Sequence, residues 1–204
     1  MTTGAGDGDG HGDGDGDGHG AAGGYGRRKQ PERIRRALLD EAMRLAAGQG
    51  LAAVTTQGVA EAAGVTKGGL YHHFPSKQAL VEGLFAHLLE RLGAEIDARM
   101  AADPVAHGRF TRAYVEATLA EETEDKPWSA FSAVFVAEPA MSRSWADWLA
   151  ERLARHAQTD GGPDLALVRL AADGAWLARV GRSSQGLDPA EVLARLLPMT
   201  RPGG

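Results

Sequence analysis

Apolar positions along the chain recur three and four residues apart, the period of a helix with one buried face, and no segment reads as a strand. Ile34, Leu38, Ala42 and Leu45 make the first stripe, with Arg33, Arg36 and Arg44 largely off it. The helix they predict starts near Pro31 and stops at Gly48 and Gly50. Thr55 to Phe74 then folds on paper into two short helices joined by a tight turn. The Thr55 hydroxyl can cap a helix with Val59, Ala60 and Ala63 on its apolar side; Gly64 supplies the left-handed residue that ends it, and Val65 plugs the core. Thr66 caps the second helix, on which Leu70 and Phe74 point inward, Gly68 and His72 outward, and Lys67 and Tyr71 to the flanks. After Pro75, Ser76 caps a helix expected to reach about Met100, roughly 37 Å long, with Leu80, Leu84, Leu88, Leu92 and Ile96 four apart. Beyond Asp103 each predicted helix start has a proline in or beside its first turn: Pro104, Pro127, Pro139, Pro163 and Pro189. The expected fold is all-α.

Two short helices at this spacing form a helix-turn-helix whose second member has an exposed reading face, able to enter a major groove N-terminus first. The run from Thr55 through Leu80, T-x-x-x-V-A-x-A-A-G-V-T-K-G-x-L-Y-x-H-F-x-S-K-x-x-L, closely resembles the DNA-binding domain of TetR-family transcriptional regulators, over roughly residues 31–91. That resemblance implies Thr55, Thr56, Lys67, Tyr71, His72 and Lys77 as phosphate or groove contacts, and Gln57, Gly68 and Gly69 near base edges, with Thr66 among the contacting positions. Leu70, His73 and Phe74 read as core. The family usually carries Thr or Ser where Gly69 stands, so base readout from this helix is expected to be thin. Ahead of the first helix, Arg27, Arg28 and Lys29 form a basic arm expected to reach phosphate or the minor groove.

Composition sets outer bounds on that picture. With 204 residues, 43% hydrophobic and no cysteine, the chain can bury one or two modest cores without disulfides or a thiolate metal site. No apolar run approaches the roughly eighteen residues of a membrane span, and the N-terminus lacks a signal peptide's apolar segment, so a cytoplasmic location without membrane contact is expected. The net charge of −5 argues against nucleic acid until it is divided by region. Residues 1–26 hold five Asp and no Lys or Arg; residues 27–82 hold nine Lys/Arg against five Asp/Glu, +4; residues 83–204 hold thirteen against seventeen, −4. The positive charge lies on the reader.

The same division suggests three parts: a disordered Gly/Asp-rich tail over 1–26, a DNA-binding domain over 27–82, and a helical effector-binding and dimerisation domain over 83–204. In the tail, Asp13, Asp15, Asp17 and Gly18 match the opening of a calcium loop, but Gly24 stands where a bidentate Glu is needed. Gly18, Gly20 and Gly23 match a dinucleotide fingerprint by letters alone, and His11 and His19 can bind transition metals only weakly. No metal site or cofactor is expected. The chain has no H-E-x-x-H, no G-x-S-x-G, no phosphate loop and no cysteine nucleophile, so it is not expected to be an enzyme.

In the C-terminal part, Trp128, Phe131 and Phe135 share one stripe, followed by Met141, Trp145, Trp148 and Leu149 on the next helix. Such rings make a core or a pocket for a largely apolar effector; Trp176 is a further candidate, and His107, Arg112 and His156 are candidate polar handles. Between Leu165 and Val180, Arg169, Asp173 and Arg179 share a side with Trp176, and Arg169 with Asp173 reads as an exposed i,i+4 pair. Ala171, Gly174, Ala175 and Ala178 fall on the other side, where small residues permit close helix approach. Asp188 to Glu191 is a capping-box start for a last helix with Val192, Leu193, Leu196 and Leu197 apolar. Paired across a two-fold axis, these two helices would make a four-helix bundle, as in the resembled family. The expected function is a ligand-responsive regulator, a repressor binding a palindromic double-stranded DNA operator as a homodimer and released by a small molecule. The alternative is an architectural DNA-binding protein without an effector.

Overall fold

A computed structural model of the protein describes residues 22–121, 127–131, 138–181, 183 and 188–203. Among the described residues all regular structure is helical: α1 Ala22–Gln49, α2 Thr56–Ala62, α3 Lys67–His73, α4 Lys77–Ala102, α5 Arg109–Leu119, α6 Pro139–Arg155, α7 Ala157–Asp160, α8 Pro163–Val180 and α9 Pro189–Leu196. Residues 128–131 are helical too. Tight 3-10 turns lie at Leu51–Ala53 and Pro198–Thr200.

The chain divides into two compact units, residues 1–35 and 36–204. In the first, α1 is already helical at Ala22 and runs through Pro31, so the expected start near Pro31 is corrected. A proline forfeits one backbone donor, but its fixed φ is helical. Residues 22–26, expected in the tail, are helix, and Arg27, Arg28 and Lys29 are part of α1 rather than an arm ahead of it. Residues 1–21, with His11, His19 and the aspartates of the calcium-like run, lie outside the described residues.

In the second unit the rest of α1 buries Leu38, Leu39, Ala42, Met43 and Ala46, and Gly50, at φ 78, breaks away from the helix. The short helices are set by their caps. Thr55 Oγ1 accepts from the Gly58 amide at 3.0 Å, Thr66 Oγ1 from Gly69 at 3.1 Å and Ser76 Oγ from Ala79 at 3.0 Å. Gly64, at φ 66, makes the turn between α2 and α3. α4 then runs for 26 residues, two beyond the expected end at Met100, and buries Leu80, Leu84, Leu88, Leu92 and Ile96 along one stripe.

α5 does not start at Pro104. Residues 103–106 form no regular structure, and the helix begins at Arg109 behind Gly108, which has φ 68 and no side chain to cap with. The cap comes from elsewhere in the chain. Asp160, 1% exposed at the end of α7, accepts from the Thr111 amide at 2.8 Å, the Phe110 amide at 3.4 Å and the Thr111 hydroxyl at 2.7 Å. Arg112 fixes the same corner: it donates to Asp103 at 2.6 Å and to the carbonyls of Val105, His107 and Thr200 at 2.5, 2.7 and 2.8 Å. That bond to Arg112 holds the Asp103 carboxyl below its ordinary range.

Arg169 and Asp173 are not the exposed pair their spacing suggests. Arg169 is buried and donates to the Thr111 hydroxyl at 2.6 Å and the Asp160 carbonyl at 3.2 Å, while Asp173 accepts from the Tyr114 hydroxyl at 2.5 Å. An apolar core on either side of α5 draws both inward, where they need partners. Burial, then the Asp173 charge and the bond to it, push the Tyr114 hydroxyl well above its usual range and keep it a donor. Burial is also the largest influence on Asp173, and it raises that carboxyl's pKa. On the far side of α5, Val115, Leu119, Val168, Ala172 and Leu196 form a second core against which Ala175, Val192 and Leu193 pack.

Three substitutions test this architecture. A Cβ at Gly108 would stand 2.3 Å from the Thr200 carbonyl oxygen on a left-handed backbone, so Gly108→Ala is expected to cost about 2–3 kcal/mol in urea denaturation. Gly48 faces open space within α1, and Gly48→Ala should stabilise by about 0.5–1 kcal/mol. For Asp173 the folded carboxyl binds its proton more tightly than the unfolded chain does, so its ionisation costs stability at neutral pH and that cost is relieved as pH falls through the raised pKa. Asp173→Asn should therefore match or exceed the wild-type melting temperature at neutral pH, and thermal scans should show that advantage shrinking on acidification.

Candidate nucleic-acid interface

The reading face is built from the caps outward. Val59, Ala60, Leu70 and Phe74 are buried and fix α2 against α3, which leaves Thr55, Gln57, Thr66, Lys67, Gly68, Tyr71, His72 and Lys77 exposed and Thr56 and Gly69 half-exposed. His73, expected in the core, is half-buried. Both cap hydroxyls are used as acceptors by backbone amides, so Thr55 and Thr66 keep only their O–H to offer a phosphate. The Lys67 ammonium lies 5.8 Å from the Tyr71 ring centre one turn later, which holds a cation and a phenol side by side on the flank of α3. His72 and His73 meet edge to face at 5.4 Å.

Two features of this face have no signature in the motif. The Gln57 side-chain amide donates to Glu61 at 2.9 Å, so its N–H groups are partly engaged along α2. A Cβ at Gly69 would lie 3.3 Å from Thr66 Oγ1, tight against the cap, and one at Gly58 would lie 3.1 Å from Thr55 Oγ1. Small residues three positions after each threonine leave the capping hydroxyls undisturbed. The outer surface of α3 is consequently bare backbone at Gly68 and Gly69, bordered by Lys67, Tyr71 and His72.

The aromatic residues of the C-terminal part converge on α5. Leu92, Ile96, Phe110, Ala113, Tyr114 and Ala117 are buried together, and Trp128, Trp145, Trp148, Leu149 and Leu153 pack against them half-buried. Trp145 is central: it stacks on Trp148 at 5.3 Å, meets Trp128 edge to face at 6.1 Å and leans on Tyr114 at 6.4 Å. Phe131 is buried against Phe85 at 6.1 Å. Trp176 is half-buried on α8, and Phe135 lies outside the described residues. Of the expected polar handles, Arg112 is consumed by the α5 corner, His156 stacks on Phe110 at 5.2 Å and His107 is exposed. The polar group that does join the rings is Tyr114 with Asp173. Those two stand 59 positions apart, so no local pattern could pair them.

On α8, Ala171 and Gly174 are exposed and Ala175 and Ala178 half-exposed, in line with Leu167, Leu170 and Leu177, which are 62%, 65% and 54% exposed. The expected dimer surface does not include those leucines. Leu196, expected on it, is buried in the core of this chain, Leu193 packs at the edge of that core, and Leu197 is half-buried. Among the described residues no helix is long and apolar enough to cross a membrane.

Comparison with known proteins agrees in both halves. The family model for bacterial regulatory proteins of the tetR family matches residues 38–84, and that for the Tetracyclin repressor-like C-terminal domain matches residues 108–201. The transcriptional repressor KstR2 of Rhodococcus jostii is 38% identical over 87 residues, 43% of this chain and 40% of that protein. The match thus spans less than half the length of that relative. A solved transcriptional regulator of Streptomyces coelicolor A3(2) superposes with a TM-score of 0.65 at 18% identity, over 83% of this chain and 99% of the other. The multidrug binding protein EbrR, complexed with malachite green, superposes with a TM-score of 0.60 at 18% identity, over 82% and 98%. With a capped helix-turn-helix, an unbroken α4 and family matches on either side of it, this chain belongs to the TetR family of bacterial transcriptional regulators.

Proposed function

We propose that this protein is a ligand-responsive repressor that binds a palindromic operator as a homodimer and lets go when a small, largely apolar molecule occupies its aromatic region. One observation carries the reading. The exposed face of α3, with Lys67, Tyr71 and His72, leads through Ser76 and Lys77 into α4, and α4 runs unbroken to the core on which Trp145 and Trp148 pack. On this reading residues 27–82 are the reader, residues 83–204 bind the effector and the second subunit, and the protein acts in the cytoplasm. KstR2 is named a repressor and EbrR a multidrug binding protein, and both roles are extended here to this chain. Trp128, Trp145 and Trp148 are the effector surface; Phe131 serves the core behind it. Occupancy can release DNA only through a difference in affinity for two conformations, a coupling of about 1–3 kcal/mol.

The second subunit belongs on α8. Leu167, Leu170, Ala171, Gly174, Leu177 and Ala178 make an exposed apolar strip at three- and four-residue spacing, with glycine and alanine between the leucines to let a second helix approach. Leu193 and Leu197, half-buried on and just after α9, are assigned to the same interface. A two-fold pairing sets two α3 helices against successive half-sites, which is the arrangement a palindrome needs.

The test is selection of duplexes from a random pool by the full-length protein, followed by titration of the winning duplex. Enrichment of a sequence with two-fold symmetry supports the reading, and failure to enrich any sequence sinks it. Lys77→Ala should weaken selected and random duplexes alike and reduce the slope of log affinity against log salt by about 0.9. Gln57→Ala should cost more on the selected duplex, since glutamine can read adenine through two hydrogen bonds; equal losses would assign it to the backbone. Leu170→Glu places a charge in the centre of the strip, and sedimentation should find a folded monomer with poor operator affinity.

A further inference from the structure

We propose that Arg152 is the tie through which the tryptophan cluster and the reading head sense one another. This rests on the reading above that the head binds DNA. From α6, the Arg152 guanidinium lies 5.0 Å from the ring centre of Trp148, one turn earlier on the same helix. Its two terminal nitrogens donate to Asp97 on α4, at 2.8 Å and 3.4 Å to the two carboxylate oxygens. One turn before Asp97, Gly93 is buried, and a Cβ there would stand 2.3 Å from Arg152 Nη2. The guanidinium therefore lies on bare α4 backbone, held by a ring on one side and a carboxylate on another. Its side chain is 11% exposed although that of Asp97 is 55% exposed, so it is seated against the protein rather than reaching into solvent.

The chemistry of this contact differs from the rest of the α4 surroundings. Apolar side chains resist sliding of one helix past another only weakly, whereas a two-pronged charged bond has a preferred direction and position. Trp148 stacks on Trp145, which also touches Trp128 and Tyr114, so a ligand that turns any of these rings moves the face on which Arg152 rests. Position makes the tie effective. The far end of α4 is pinned where Arg112 holds Asp103 and three carbonyls. Along a rigid helix Asp97 stands about 9 Å from that pin and Lys77 about 39 Å, so a sideways shift of ~1 Å at Asp97 becomes ~4 Å at the reading head.

Coupling is reciprocal, which allows a test without an effector: if the rings bias the head, DNA on the head must disturb the rings. All four tryptophans, Trp128, Trp145, Trp148 and Trp176, lie outside residues 27–82. The full-length protein is titrated with the selected duplex, with binding read from anisotropy of the labelled DNA and the response from tryptophan emission. The wild type is expected to shift its emission on saturation. Arg152→Ala and Asp97→Asn should bind DNA and melt normally yet lose the shift; Asp97→Asn leaves Arg152 and Trp148 in place and so controls for a changed ring environment. Gly93→Ala, which displaces the guanidinium, should lose it as well, and Arg152→Lys should keep part of it. An unchanged shift in Arg152→Ala and Asp97→Asn, or no shift in wild type despite anisotropy showing binding, overturns the tie. Absence of binding by anisotropy instead overturns the reading on which it rests, and the tie with it.

Discussion

Leu80 and Leu84 on α4 serve the helix-turn-helix end of the molecule, and Leu92 and Ile96 on the same stripe serve the core around Phe110 and Tyr114. One helix of 26 residues has to satisfy both, and it does so without a proline or a break. A stripe repeated every four residues advances about 40° beyond each full turn of a 3.6-residue helix, so from Leu80 to Ile96 it winds roughly 160° and the two ends of α4 face nearly opposite sides while each stays apolar toward its own neighbours. The head cannot then rotate against the body by bending at a loop. Any relative movement must pass through α4 itself or through the contacts that seat it. Those contacts include two exceptions to the leucine pattern: His87, buried with Nε2 3.0 Å from Asp40 on α1, and Gly93 under Arg152. Both are places where α4 meets a polar group.

The fixed end of that helix is held by charge in the interior. α5 starts without a capping side chain of its own, and a carboxylate from α7 supplies the missing acceptor for its first amides. A carboxylate at a helix N-terminus is favoured by the unsatisfied amides and by the dipole, which offsets part of the cost of burying it. Thr111 and Arg169 complete the set, Thr111 donating to Asp160 and Arg169 donating to Thr111. Arg112 ties the 3-10 turn at Pro198–Thr200 to the same corner, donating to the Thr200 carbonyl as well as to Asp103, Val105 and His107. Removing one member of such a set leaves the others buried and unpaired, which is more costly than the bond was worth.

Local chemistry was legible in the residues. Thr55, Thr66 and Ser76 cap as their spacing indicates, Asp188 and Glu191 form the capping box, and Gly64 takes the left-handed turn, because each depends on neighbours within three or four positions. Apart from the start of α1, which lies at Ala22 rather than near Pro31, the failures are of longer range. Pro104 looked like a helix start because nothing local announces a cap 50 residues downstream at Asp160. Arg169 and Asp173 looked like a surface pair because their spacing is that of one, while their true partners, Thr111 and Tyr114, lie 58 and 59 positions away. α8 is apolar on more than one side, so small residues alone could not tell its solvent face from its core face; exposure of Leu167, Leu170 and Leu177 settles which is which. Trp128, Trp145 and Trp148 were ambiguous between core and pocket for a physical reason: they pack against the cluster of Phe110 and Tyr114 yet remain half-exposed.

The glycines of α3 change what kind of recognition the reader can perform. At Gly69 a side chain would press on the hydroxyl that caps the helix, and at Gly68 the backbone is simply bare. Positions that the family resemblance sets against base edges thus carry no hydrogen-bonding side chain, so the direct code of the major groove is left to Gln57 on α2, itself partly held by Glu61. What the face does have is charge and shape. Lys67 and Tyr71 are paired on one flank, His72 is exposed beside them and Lys77 sits at the start of α4, all suited to phosphates rather than bases. Bound as the proposed dimer, a reader of this type would discriminate mainly through the spacing of two half-sites and the deformability of the duplex between them. Under the proposed function, spacing is also the quantity that a swing of α4 would change, so the element that confers specificity and the element that an effector would move would be the same helix.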